Sequence, residues 1–331
     1  MSLVSIVVPV YFNAPSLPDL LKEFQKVADR NPDLGFEFVF VDDGSKDDSY
    51  AVLERLAQDE WRVSILKLSR NFGSNAAILA GLTHARGDAV VAIAADLQDP
   101  PALIHDMIGK WREGNKVILA AREERDDPGL TSLMADTFYA LFRRFAIKTM
   151  PKRGFDFFLI DRQVCGLITS IQENNAYLMG LILWMGFNPV VIPYHRRERE
   201  KRYGRSMWTF AKKLKYFVDS FVAFSYLPVR FASLLGFTLS GLGLLYALFI
   251  VGLRIFTHFD VEGWTSLMVV MLIVSGVQMV MIGILGEYLW RNLDETRKRP
   301  RYIVENIIET RQTKEVDQLQ HFPELDGHVH D

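Results

Sequence analysis

Two long stretches without a formal charge constrain this chain more than any other feature. Residues 231–253 are 23 uncharged residues between Arg230 and Arg254, and residues 263–286 are 24 more between Glu262 and Glu287. At about 1.5 Å of rise per residue, a helix of either length crosses the roughly 30 Å hydrocarbon layer of a bilayer. Helices of soluble proteins keep a polar face over six turns, and these runs carry no charge on any face. The pattern predicts two transmembrane helices joined by a short loop at 254–262. A third uncharged run, 174–195, is interrupted by Gly180, Gly186, Pro189 and Pro193. It predicts a buried helix followed by a short strand at 189–193.

The formal net charge of −2 conceals a strong division. By segment it is −5 for 1–194, +7 for 195–230, −1 for 231–286 and −3 for 287–331. Nine Lys and Arg stand against two Glu between His195 and Tyr216, and Arg291, Arg297, Lys298, Arg299 and Arg301 follow the second run. The loop between the runs has only Arg254. The positive-inside rule then puts both termini in the cytoplasm and 254–262 outside. Lys212, Lys213 and Lys215 are followed by Tyr216, Phe217, Phe221, Phe224 and Tyr226, a pattern that suits amphipathic helices lying among lipid headgroups. A solvated basic linker is the alternative. The near-neutral balance gives no reason to expect nucleic acid, and Cys165, the single cysteine, excludes a disulfide framework. Met1-Ser2-Leu3 lacks the basic start of a cleavable signal peptide. The organisation expected is a cytoplasmic domain at 1–194, basic juxtamembrane helices at 195–229, two spans at 230–287 and a cytoplasmic segment at 288–331, whose end at 312–331 is polar.

The first half alternates strand and helix patterns. Continuous apolar, β-branched runs at 3–10, 36–41, 63–68, 89–94 and 116–121 read as strands covered on both faces. Helical periodicities lie between them: one after Ser16-Leu17-Pro18-Asp19, a capping pattern, one from Ser45 to about Asp59, an Ala-rich one ending near Gly87, and one over 102–113. This is an α/β domain with a mostly parallel, Rossmann-like sheet. In such sheets ligands sit outside the carboxyl ends of the strands. Polar groups recur at those ends: Asp42 and Asp43, Ser69 and Arg70, Asp96 to Asp99, and Arg122. Neither a dinucleotide-binding glycine fingerprint nor a P-loop is present.

Asp96 and Gln98 offer hard oxygen ligands two residues apart, a pair that suits Mg²⁺ or Mn²⁺ completed by water and phosphates. Asp96 and Asp99 read equally well as caps of the helix after Pro100-Pro101. Asp42-Asp43-Gly44-Ser45 is also a good turn, and the stretch from Arg122 to Arg125 is also a plausible solvated charge run.

Several segments resemble inverting glycosyltransferase family 2, of GT-A fold. They are Val7-Val8-Pro9-Val10-Tyr11-Phe12-Asn13, Val41-Asp42-Asp43-Gly44-Ser45 and Asp96-Leu97-Gln98-Asp99-Pro100-Pro101. Leu68-Ser69-Arg70-Asn71-Phe72-Gly73, Gly154-Phe155-Asp156-Phe157-Phe158, Arg197-Glu198-Arg199, Tyr203-Gly204-Arg205-Ser206-Met207-Trp208 and Gly286-Glu287-Tyr288-Leu289 narrow the likeness. Together they are similar to polyisoprenyl-phosphate glycosyltransferases of the bacterial GtrB type, the bactoprenol glucosyltransferases, relatives of dolichol-phosphate mannose synthase. The resemblance covers roughly residues 3–305. It implies a donor site at Pro9, Tyr11, Asp42, Asp43 and Arg70, a metal pair in Asp96 and Gln98, and an arginine, Arg122, near the donor diphosphate. It further implies that Asp156 faces the reaction centre and that Arg199, Arg205 and Ser206 bind phosphate at the membrane. Asp96, Asp156 and Arg122 are the catalytic candidates. Many relatives carry an acidic residue where this chain has Ala94, so the metal site expected is a weak, exchangeable one.

The reaction implied transfers a hexose, glucose first, from a UDP-sugar to a polyprenyl (undecaprenyl) phosphate, with inversion, at the cytoplasmic face of the bacterial inner membrane. Membrane lipids and a homo-oligomer, with a tetramer as one form, are the other partners implied. GlcNAc, galactose or mannose fit the same motifs. A processive polysaccharide synthase is opposed by the absence of Gln-x-x-Arg-Trp and by only two spans. A non-catalytic lipid-binding scaffold is favoured by Ala94 alone.

Overall fold

The computed structural model describes residues 1–122, 143–144, 149–151, 154–171, 173, 177–196, 227–257 and 263–309. Most of the basic collar, the end of the connecting loop, the tail from 310, and Arg199, Arg205 and Ser206 lie outside the described residues.

The chain divides into two compact units: residues 1–172, 176–213 and 300–331 form one, and 173–175 with 214–299 the other. In the first unit the elements run β1 (Leu3–Val10), α1 (Leu17–Asp29), β2 (Gly35–Asp42), α2 (Ser49–Asp59), β3 (Val63–Leu68), α3 (Ser74–His84), β4 (Ala89–Ala92), α4 (Leu103–Arg112) and β5 (Val117–Arg122). They continue with β6 (Phe157–Asp161), α5 (Arg162–Ser170), α6 (Leu178–Trp184), β7 (Val190–Tyr194) and, after the second unit, β8 (Val304–Ile308). The strands form one eight-stranded sheet in the order β7-β5-β6-β4-β1-β2-β3-β8. Strands β1 to β4 are parallel and β7 runs parallel to β5, whereas β6 and β8 are antiparallel to their neighbours. The expected α/β, mostly parallel sheet is therefore what forms.

Val4, Ile6, Val8, Val10, Phe38 and Phe40 are fully buried, which explains why these strands read as unbroken apolar runs. Helix α1 packs Leu17, Leu20 and Phe24 into the same core. Gly81 lets α3 approach β1, since a Cβ there would lie 2.2 Å from Val7 Cγ1.

Some local expectations are corrected. Helix α2 begins at Ser49, four residues after Ser45. Both serines are otherwise engaged: Ser45 Oγ accepts the Phe12 N–H at 3.3 Å, and Ser49 Oγ accepts that of Asn13 at 2.9 Å. Ser16 occupies the N-cap position of α1 without capping it. Its hydroxyl instead sits 2.7 Å from the Ala95 carbonyl and 3.0 Å from that of Asn13, tying the start of α1 to the loop after β4. β4 ends at Ala92, two residues short of the expected end. β6 and β8 were not expected: the chain inserts β6 between β4 and β5 and adds β8 at the far edge beside β3.

The second unit contains two long helices, α7 (Leu227–Thr257) and α8 (Trp264–Thr296), which contact each other. Within α8, Leu267–Thr296 is long and apolar enough to cross a membrane, with a mean hydropathy of 2.5 over its apolar window. The described apolar stretch of α7, Phe231–Tyr246, is shorter than a span. Leu244, Leu245, Leu248, Phe249, Val270 and Met271 are all more than half exposed.

Candidate active site

β5 and β7 run in the same direction as β1 to β4, so their carboxyl ends share one edge of the sheet, and the antiparallel β6 starts there. The chain reverses its direction of travel across the sheet at β1, which pairs with β2 on one side and β4 on the other. Such a switch point opens a crevice for ligands.

On the β1–β2 side, pairing of Pro9 with Val41 and Val10 with Asp42 brings the segment from Pro9 to Tyr11 beside Asp42 and Asp43. Asp42 is fully buried, and both its oxygens lie 3.3 Å from the Ser45 N–H. Asp43 is 2% exposed and accepts the backbone N–H groups of Phe72 at 2.7 Å and Gly73 at 2.9 Å. It thus clamps the loop after β3 to the end of β2. Burial raises the pKa of both carboxyls, that of Asp43 to about 6 even against its two N–H donors. Gly44 makes the clamp possible: its φ is +68°, and a Cβ would lie 2.6 Å from the Arg70 carbonyl carbon. Arg70 is exposed, with its guanidinium 4.1 Å from the centre of the Phe72 ring. All five expected donor residues therefore line adjoining strand ends.

On the other side of the switch point lies a charged chain of side chains. Arg122, at the end of β5, pairs with Asp156 at 2.5 Å, just before β6. Its Nε lies 3.5 Å from the hydroxyl of Tyr194, at the end of β7. That hydroxyl donates to Asp99 Oδ1 at 2.5 Å. Arg196 Nε stands 3.3 Å from the same Asp99 oxygen, and its Nη2 is 4.0 Å from Asp96 Oδ2. Asp99 is 1% exposed, so burial pushes its pKa up, against the pull of Arg196 and Arg122. Burial works against the charge on Arg122 too, but Asp156 and Asp99 outweigh it and raise its pKa. Asp99, expected as a helix cap, is instead the buried centre of this chain, and Ala102 is the N-cap of α4. Tyr194 and Arg196 were not singled out in the sequence. Their signal is a period of two: Val190, Ile192, Tyr194 and Arg196 are all less exposed than Val191, Pro193 and His195 between them.

Asp96 stands between the two halves. Its Oδ1 accepts the Gln98 backbone N–H at 3.2 Å, across Leu97, whose φ of 57° makes the turn. Among the described residues no group of three or more His, Cys, Asp or Glu could hold a metal ion. The residues fit a divalent cation held by one carboxylate, with the remaining positions left to donor phosphates and water.

The model of the family described as "Glycosyl transferase family 2" matches residues 5–169. The glycosyltransferase YkcC of Bacillus subtilis is 39% identical over 91% of this chain and 93% of its own. The bactoprenol glucosyl transferase of Shigella phage SfV is 35% identical over 92% of this chain and 98% of its own. Its homologue from an Escherichia coli K12 prophage is 33% identical over 92% and 99%.

Proposed function

Since the chain belongs to glycosyltransferase family 2, grouping with the bactoprenol glucosyl transferases, we propose that it transfers a hexose, glucose first, from a UDP-sugar to a polyprenyl phosphate at the cytoplasmic face of a membrane. The observation that carries this reading is the meeting of Asp96, Arg122 and Asp156 with buried Asp99 at one edge of the sheet. Acidic and cationic groups alternate there, as a site for two anionic substrates requires.

Pro9, Tyr11, Asp42, Asp43 and Arg70 hold the nucleotide. Asp96 and Gln98 hold Mg²⁺ or Mn²⁺, which when bound neutralises charge on the departing diphosphate. Arg122 adds a fixed positive charge that needs no reorganisation during the reaction. The acceptor, a phosphate monoester with a second pKa near ~6, is largely dianionic at pH 7 and needs no general base. Its oxygen attacks the anomeric carbon as the UDP bond breaks on the opposite face, so an α-linked donor gives a β-linked lipid phosphate sugar. Asp156 is engaged by Arg122 at 2.5 Å, which suits an orienting role. Arg199, Arg205 and Ser206 hold the lipid phosphate beside the basic collar. The two uncharged runs cross the bilayer, both termini stay in the cytoplasm, and copies of the chain associate.

The test mixes the full chain in detergent with UDP-glucose or another UDP-sugar, Mg²⁺ and a polyprenyl phosphate, and reads the lipid by mass. A single hexosyl phosphate lipid supports the reading. Polymer would indicate a processive synthase, and no product with any donor a non-catalytic scaffold.

A further inference from the structure

We infer that Arg196 is the resident counter-ion of Asp96, which a divalent cation must displace, and that Asp99 retains the displaced guanidinium beside the donor diphosphate. The inference rests on the assignment of Asp96 to the metal. Three observations support it. Arg196 reaches both carboxylates, with Nη2 4.0 Å from Asp96 Oδ2 and Nε 3.3 Å from Asp99 Oδ1. The contact to Asp99 Oδ1 has no hydrogen-bonding alignment, because Arg196 Nε is buried without a hydrogen-bond partner. At Nε the guanidinium is therefore held by charge and not by an aligned hydrogen bond. Asp99 is held in place by the Tyr194 hydroxyl, which donates to the same Oδ1 at 2.5 Å.

The energetics make Asp99 the pivot. Its side chain is wholly buried, and an ionised carboxylate there without a cation is expensive. Arg196 can leave Asp96, which is 16% exposed, at much less cost. A divalent cation on Asp96 would repel the guanidinium across a short distance while Asp99 continued to attract it. The arginine turns about Asp99 and keeps one positive charge at the mouth of the site. That charge answers the departure at Ala94: where a second carboxylate is missing, the metal is held less firmly and a side-chain cation shares the work on the phosphates. Arg196 is then a catalytic residue toward the diphosphate, and Asp99 and Tyr194 are positioning residues.

Manganese binding separates this from a structural role. Mn²⁺ is titrated into the full chain in detergent, without nucleotide, and the free ion is read by electron paramagnetic resonance. Removing the competing charge in Arg196→Met tightens Mn²⁺ binding about tenfold, since an ion pair at this distance is worth kilocalories in a protein site. Arg196→Lys, which keeps the charge, stays near the parent, and Asp96→Ala loses the site. In turnover, Arg196→Met reaches half-maximal rate at lower Mn²⁺ while its kcat falls. If Arg196→Met misfolds in a thermal scan, Arg196→Gln carries the same expectation. Parent-like or weaker Mn²⁺ binding in a folded, uncharged variant overturns the inference and leaves the metal site intact. Parent-like binding in Asp96→Ala overturns the metal assignment and the inference with it.

Discussion

Replacing Tyr194 with Phe removes one oxygen from the centre of the charged chain and leaves the packing in place. The ring keeps its edge-to-face contact with Phe157 at 6.4 Å. The lost hydroxyl donates to Asp99 Oδ1 at 2.5 Å. Burial, and then the charge of Asp99, raise the Tyr194 pKa, so the hydroxyl keeps its proton across the working range. A hydrogen bond to a charged acceptor is worth about 1.5–3 kcal/mol, and Asp99 has no other aligned partner to take its place. The contact with Arg122 at 3.5 Å is at the limit of a hydrogen bond and adds little. At roughly 2–4 °C per kcal/mol for a domain of about 200 residues, the midpoint falls by about 3–12 °C. The assay is a thermal scan of the full chain in detergent at fixed rate, beside kcat under saturating donor and acceptor. Tyr194→Leu, which loses the ring as well, falls further. If Tyr194→Phe melts within ~1 °C of the parent, on the same ~2–4 °C scale, and turns over at the parental rate, the hydroxyl does not organise Asp99.

Gly44→Ala meets two penalties, a left-handed residue at about 1–2 kcal/mol and a Cβ 2.6 Å from the Arg70 backbone. It should raise the donor KM by about tenfold or more, with acceptor KM little changed, in steady-state kinetics varied one substrate at a time. The Asp43 pKa is raised by burial from 3.8 to about 6, so the folded protein takes up this proton before the unfolded chain does. The ionised group therefore costs stability above about pH 6, a cost relieved as pH falls toward 4. Below about 6 the protonated carboxyl can no longer accept both loop N–H groups as strongly, so UDP-glucose binding, measured without acceptor, weakens as pH falls. In Asp43→Asn that pH step should disappear, and a step of unchanged size would assign it elsewhere. Arg122→Lys keeps the charge but not the reach to both Asp156 and Tyr194, and should lower kcat about 10–100-fold with donor KM nearly unchanged.

The strands that carry the donor half were legible because their signal is local. The runs that form β1 and β3 are apolar on both faces, and their bounds were read from composition alone. The antiparallel β6 was not, because its five residues are recruited between β4 and β5 from a distant part of the chain, and pairing partners leave no local trace. Strand β8 alternates weakly and stays partly exposed at the edge, where Lys67 pairs with Glu305 and Asn306 donates to Tyr50. The site divides in the same way. Asp42, Asp43, Asp96 and Arg122 announce themselves by falling at strand ends. Asp99 looked like a helix cap because its burial depends on Tyr194, 95 residues further along the chain.

As proposed, this chain moves one sugar onto a lipid phosphate through Asp96. The direct measurement follows label from UDP-[¹⁴C]glucose into the solvent-extractable lipid, with parent and Asp96→Ala side by side, with Mg²⁺ or with chelator. The parent should give a β-linked hexosyl phosphate lipid, lost with chelator, and Asp96→Ala a turnover more than about 100-fold lower. Full metal-dependent turnover in Asp96→Ala, or a parent that labels no lipid from any nucleotide sugar, would contradict it.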